Sequence, residues 1–512
     1  MKKLLTLTCL FMLSIVLNAQ EKSLNEITSF KLKNSGSMMD KNNDVDGYYF
    51  YYQIDKLKKG MREYGIKILD NNLNDIATKS YIDNKNTVLA DSKFNNQALM
   101  FAMINTKEKK YKLVSFDRQG NQGKDIVISV NKKEMKWLGY MLKAGNFNML
   151  FPVDNKGFIF NYIRDNKKLG YGLKYIATDG GSSWDYNSPD DTKEIMTINP
   201  IEVNEEVLVA LQASKKSALS QTIKFKVLVI DIKTGKLLFE KEFDRENNPR
   251  LITNAFLTDD KKVVLLGEYF EKGDNIIKSK SLGLFSQIND LSGNIVSDNK
   301  VSWKDEINKM MPVESDGKNP KRGYVYFHDM IRTQTGSFYC IGEKYRKTAS
   351  LTGILGLTAN ANGQRAVTQL TITDAAIFEF DNKFELKDIK VFKKGKSRAP
   401  SIIDVGSPQL NAHALKAYGA FDYEFTQIDK DRDRFYSNFI DYERLKGEKN
   451  KLAFKTIMYN EGEFSEDKIY LQKDSGKIKF RVLPAKLGHI MLVEYNKKEK
   501  TIDLHIEKLN LQ

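Results

Sequence analysis

Metal chemistry needs ligands at fixed spacings, and the four histidines, His328, His413, His489 and His505, stand in none of them: there is no His-Glu-x-x-His and no Cys-x-x-Cys. His489 and His505 are expected to decorate strands and His413 a helix surface. Two acidic stretches imitate calcium loops, Asp40-Lys-Asn42-Asn-Asp44-Val-Asp46-Gly47 and Asp429-Lys-Asp431-Arg-Asp433-Arg434. Both set carboxylates at alternate positions, yet neither has the bidentate Glu at the twelfth, and the second interleaves three cations. They read as solvated turns. No cofactor is expected, calcium being the one ion their oxygen pattern admits. Gly-x-Ser-x-Gly and Walker loops are missing, which argues against an appended hydrolase or nucleotide enzyme. Asp and Glu are plentiful enough for a glycosidase, which needs only two converging carboxylates, but no pair can be nominated and no catalytic residue is assigned.

The elements that would hold such groups follow a repeated pattern. Runs such as Tyr48 to Ile54, Ala98 to Ile104, Phe158 to Ile163, Val207 to Ala213 and Val263 to Phe270 are each followed by a polar turn and a second run, such as Tyr64 to Leu69, Tyr111 to Phe116 and Lys226 to Ile230. Their length and β-branched, aromatic content predict strands. The second runs end at Asp70, Asp117, Asp179, Asp231, Asp290 and Asp381, several followed by Gly, where Asp caps a turn and Gly accepts positive φ. These aspartates are 47, 62, 52, 59 and 91 residues apart, which suits a four-stranded module of about 40 to 60 residues with variable loops. The longest gap implies an insertion near 348–373. Helical inserts are expected near 302–312, opened by Ser302 and ended by Pro312, and near 407–419, with Ser407, Pro408 and Gly419 in N-cap, N1 and C′ order. The class is all-β: a β-propeller of seven or eight four-stranded blades over residues 20–512. Pairing of the segment Glu26 to Leu32 with the C-terminal strands would close it and leave no exposed edges.

One turn is more specific. Ala177-Thr-Asp179-Gly-Gly181-Ser-Ser183-Trp184 resembles the Asp-box, the Ser-x-Asp-x-Gly-x-Thr-Trp hairpin of sialidases, sortilin-type receptors and other propellers. Asp179, Gly181, Ser183 and Trp184 match, and Ala177 departs from the usual Ser or Thr. The resemblance implies a folding element linking the two outer strands of a blade, away from any catalytic face.

Residues 1–19 carry Lys2-Lys3, an apolar run from Leu4 to Leu17, then Asn18-Ala19. This is the layout of a secretory signal peptide cut after Ala19; the run of about 14 residues is too short to span a bilayer, so no transmembrane segment is expected after cleavage. Removal lowers the net charge from +15 to +13 on 493 residues and leaves Cys340 as the one thiol, expected to be a buried strand residue. An exported protein with lysines spread along every module is not expected to bind nucleic acid, and weak attraction to anionic lipid or polysaccharide follows instead. The densest basic run, Lys393 to Arg398, is short and reads as a loop. In its leader and style the chain resembles secreted, propeller-like proteins of Bacteroidota that carry a domain of unknown function. The resulting expectation is a non-catalytic binding or assembly module in the periplasm, on the cell surface or outside, with an envelope protein or glycan as partner. The alternative is a glycosidase-like enzyme using carboxylates at the propeller mouth.

Overall fold

The computed structural model describes residues 20–510 except 41, 43, 124, 145–147, 166, 218–219, 221, 312–322, 351–365, 444–450 and 472–477. The expected signal peptide with its cut after Ala19, and Pro312, thus lie outside the described residues. The fold is an eight-bladed β-propeller of antiparallel four-stranded sheets, the sixth carrying a short fifth strand, Ser397–Pro400. In each of blades 1 to 7 the strands pair in chain order.

The two middle strands of a blade explain why the sequence reads as it does. In blade 2, Ala98–Asn105 is buried at all eight positions, because both faces of a middle strand meet other strands or neighbouring blades. The fourth strands alternate instead, as in Trp184–Asn187, where every second side chain is exposed. The apolar runs legible in the sequence are the second and third strands; the first and fourth, with half their positions polar, carry a weaker signal.

The turns after the third strands are built as expected. Asp70 accepts from the backbone N–H groups of Asn72 and Asn74, Asp117 from Gln119 and Asn121, Asp290 from Ser292 and Asn294, and Asp381 from Lys383 and Glu385. Each carboxylate satisfies donors the turn would otherwise leave open.

Contacts divide the chain into two units. One holds residues 1–85, 116–122 and 473–512. In it Gln20–Leu24 pairs antiparallel with Thr501–Lys508, so the two chain ends share blade 8. The closing strand is therefore not Glu26 to Leu32 as expected: Glu26 turns at φ 62°, and Ser29–Met39 becomes the first strand of blade 1. The other unit holds residues 86–115 and 123–472. Its apolar side chains gather between consecutive blades, for example Val207, Val227, Leu251 and Leu265 between blades 4 and 5.

Three helical segments sit in connections between blades. Helix α1, Lys132–Ala144, was not expected. Asn131 and Glu134 cap it reciprocally, the Asn131 side chain accepting from the Glu134 N–H and Glu134 from the Asn131 N–H, and Leu138 is buried among blades 2 and 3. At the second site Ser302 caps a π-turn, Trp303–Ile307, that runs into a short helical turn, Asn308–Met310. Helix α2, Pro408–Ala417, has the expected Ser407 cap and Gly419 stop, but it is packed rather than decorative: Leu410, Ala412 and Leu415 are buried. Residues 351–365 of the expected insertion lie outside the described residues, and its last part, from Thr368, is strand.

Candidate functional site

The first strands of blades 2, 4, 5, 6 and 7 share an irregularity. Pairing with the second strand slips by one residue between Leu89 and Asp91, Pro200 and Glu202, Ile252 and Asn254, Phe327 and Asp329, and Tyr423 and Phe425. A bulge re-aims the side chains beside it, and bulges concentrate near functional sites. Three of the residues following the slip are acids. Asp91 reaches into blade 3 and accepts from the N–H groups of Met149 and Leu150 at 2.8 and 2.9 Å. Asp329 accepts from the Tyr423 hydroxyl of blade 7 at 2.9 Å.

Blades 6 and 7 surround this last contact with a buried ionic network. Glu343, on the second strand of blade 6, has no exposed side chain; one carboxylate oxygen accepts from the backbone N–H groups of Asp422 and Tyr423, both at 3.0 Å. The other lies 3.0 Å from the Lys394 ammonium, which also bonds to Asp422. Ser397 donates to Asp422 at 2.7 Å. Burial raises the Glu343 carboxyl, but the contact with His328 and the Lys394 charge more than offset this and hold it at about 2, so it is ionised. The His328 ring stacks on Tyr423 at 4.9 Å; burial, aided by the Lys416 charge, pushes it down to about 4, so it is neutral imidazole at pH 7. Lys416, from helix α2, is pushed down by burial and drawn back by Glu343, Asp329 and Glu424.

A second group of carboxyls has raised proton affinity. Burial first, then the charges of Asp329 and Asp154, raise Glu202 to about 7. Burial and Glu205 raise Asp154, with Lys430 opposing, and burial raises Asp329. Glu202 of blade 4 thus feels the charges of Asp154 from blade 3 and Asp329 from blade 6. Lys430 acts on Asp154 and Lys416 on Asp329, and Glu202 is the member that exchanges a proton near neutrality. Glu268 is fully enclosed, raised by burial to about 8, and accepts from Ser281 at 3.2 Å; Ser281 in turn accepts from Gln409 of helix α2 and from the Trp303 indole, both at 2.9 Å.

The residues singled out from sequence lie elsewhere. Asp179 accepts from the Gly181 N–H at 2.8 Å, Gly181 and Ser183 are exposed, and Trp184 stacks on Tyr175 with ring centres 5.7 Å apart. The calcium-like loops spend their oxygens locally: Asp40 accepts from Asn42 and Asp44 N–H groups, Asp46 pairs with Arg118, and Asp429 pairs with Arg434. Among the described residues no three His, Cys, Asp or Glu side chains gather as a metal site. His413 corrects the expectation of a surface position, since its ring packs edge-on against Tyr326 at 5.5 Å with Nε2 buried. Cys340 is buried as expected, and burial raises its thiol well above the usual range. The acids of the site were invisible in sequence because they come from segments far apart in the chain, two first strands and the turn at Asp154; the one local trace is an acid inside a short first-strand run, as at Asp91 and Asp329.

These features define an eight-bladed propeller whose bulged first strands carry acids. The chain belongs to the family of unknown function DUF6770, whose model matches residues 1–510. No curated protein matches it. Among solved structures it is similar to prolyl oligopeptidase B from Galerina marginata, at 9% identity and TM-score 0.40, over 91% of this chain and 55% of that one. It is also similar to a post-proline cleaving enzyme from Rickettsia typhi, at 9% identity and TM-score 0.35, over 86% and 57%, and to the β-propeller domain of the Trilobed protease from Pyrococcus furiosus, at 11% and 0.36, over 80% and 91%. This chain spans little more than half the length of the prolyl peptidases it matches. The expectation of a non-catalytic binding or assembly module, with a glycosidase-like alternative, is corrected by these matches, which are to peptidases. Among the described residues no helix is long and apolar enough to cross a membrane.

Proposed function

We propose that the protein works in proteolysis, as a propeller that receives the positively charged end of a peptide. The observation that carries this is the pair of bulged first strands in blades 4 and 6, which place Glu202 and Asp329 so that Glu202 feels the charges of both Asp329 and Asp154. A free α-amino terminus of a peptide brings a positive charge to these acids, and its arrival lowers the proton affinity of Glu202 so that the two bind as an ion pair. His328 Nε2 lies 3.0 Å from a Glu343 carboxylate oxygen inside the buried network of blades 6 and 7, so this histidine is engaged with Glu343.

The leader read in residues 1–19 supports work outside the cytoplasm, on polypeptides of the envelope, and kinship with exported proteins of Bacteroidota. The same reading takes residues 177–184 as an Asp-box, supported by the Asp179–Gly181 bond and the Trp184 cover. The test is retention of a peptide library with free or acetylated amino termini at pH 8, with cleavage followed by mass spectrometry. Free termini should be retained over acetylated ones, and Glu202→Gln with Asp329→Asn should abolish the preference. Equal retention of both libraries, or an unaffected double variant, overturns the proposal.

A further inference from the structure

Lysines that look dispersed along the chain are sorted by the topology. In a four-stranded antiparallel blade, the hairpin between second and third strands and the connection to the next blade lie at one end, and the other two turns lie at the opposite end. In blades 2 to 5 the four connections between second and third strands hold eight lysines and three acids. Lys107 and Lys109 stand on blade 2, Lys167 and Lys168 on blade 3, and Lys272 and Lys280 on blade 5, all exposed. Lys216 continues the series on blade 4.

The connections from blades 2, 3 and 4 to the next blade at this end add Lys132, Lys133, Lys136, Lys143, Lys193 and Arg245 and the acids Glu134, Asp190, Asp191, Glu194, Asp244 and Glu246. The excess of lysine thus lies in the hairpins, and the hairpin lysines also differ in pairing from those at the other end. At the opposite end Lys156 meets Glu205 at 3.0 Å, Lys261 meets Glu206 at 3.1 Å, and Lys262 meets Asp260 at 2.7 Å. None of the seven hairpin lysines named above has an acid within ion-pair distance among the described residues. Unpaired like charges held close together repel, and an anionic surface relieves that repulsion. The same pattern recurs in the other unit, with Lys58 and Lys59 in blade 1 and Lys497, Lys498 and Lys500 in blade 8.

Apolar side chains stand among these cations. Helix α1 lies at the lysine end, held to the blade 3 hairpin by the Glu134 bond to the Asp165 N–H at 2.7 Å. It exposes Lys132, Lys136 and Trp137, the indole at 42% of its full area, and Leu282 of the blade 5 connection is exposed at 41%. Tryptophan beside lysines suits the headgroup level of a bilayer, where the ring enters and the ammonium groups meet phosphates.

We propose that the lysine end of blades 2 to 5, with helix α1, docks on an anionic lipid membrane. Lysine is the residue for this task, since a flexible point charge needs no fixed partner geometry. The test is co-sedimentation of the chain from Gln20, which holds all eight blades, with vesicles of phosphatidylcholine alone or with about 30% phosphatidylglycerol, an anionic fraction of the order natural leaflets carry. Binding should require the anionic lipid and disappear at about 0.5 M salt. Replacing Lys167, Lys168, Lys216 and Lys272 by Gln should weaken it at least about 100-fold, at roughly five-fold per lysine. Trp137→Gln should weaken it several-fold with the salt dependence unchanged. Should the quadruple variant fail to fold, Lys168→Glu alone, on an exposed tip, must still reduce binding. Equal binding to both vesicle types, unchanged binding by the variants, or capture by soluble polyphosphate with no capture by vesicles overturns the proposal.

Discussion

The indole Nε1 of Trp184, on the last strand of blade 3, donates to the carbonyl of Ile232 in blade 4 at 2.7 Å. The ring stacks on Tyr175 and lies so close to Gly235 that a Cβ there would come within 2.6 Å of it. One side chain thus closes its own hairpin and fastens the next blade's turn.

Trp184→Phe keeps much of the stacking and strands the Ile232 carbonyl, and should cost about 1 kcal/mol. Trp184→Ala also removes the apolar cover and should cost about 3 kcal/mol. Gly235→Ala meets both the ring and a φ of +69°, and should destabilise by more than about 1 kcal/mol. Urea unfolding of the three variants checks the order.

Lys394 is the cation that allows Glu343 and Asp422 to be buried together. Lys394→Met leaves two enclosed carboxyls without their charge partner and should destabilise by about 3 to 5 kcal/mol. The triple variant with Glu343→Gln and Asp422→Asn should recover part of that loss. Equilibrium denaturation of both decides whether charge, and not volume, is responsible.

Glu268 holds a proton in the fold up to about pH 8, whereas an unfolded Glu releases it near its ordinary value of 4.5. The folded state therefore binds more protons between those values, and this group's contribution to stability falls as pH rises through that window. Glu268→Gln stays neutral and can still accept from Ser281. Its stability relative to the parent should improve steadily from pH 5 to pH 8, as read by thermal melts across that range.

His328 and His413 are both pushed down to about 4, from 6.5. Here the unfolded state binds more protons between pH 4 and 6.5, so stability is lost as pH falls through that window, by a few kcal/mol for two enclosed rings. Replacing both by Gln should flatten the acid limb. Melting temperatures between pH 4 and 7 test this, and a limb of unchanged slope would assign the loss to other groups.

The blade pattern was legible because the second and third strands are covered on both faces, so their apolar runs stand out, as at Ala98–Asn105. The aspartates at 70, 117, 179, 231, 290 and 381 were legible for a different reason: each bonds within its own few residues, and local geometry is written locally. Helix α1 was missed because its apolar stripe is thin, with Leu138 buried while Trp137 stays exposed.

By itself the sequence determined the class, the four-stranded module and its capped turns, since these rest on period-two patterning and on contacts between near neighbours. Only the tertiary structure decided which end strand completes blade 8, that His413 is enclosed, and that Asp154 and Asp329 act on Glu202. It also decided that the hairpin lysines of blades 2 to 5 share one end of those blades. Each of these depends on residues far apart in sequence whose meeting is set by how antiparallel strands reverse, and a linear pattern carries no record of that.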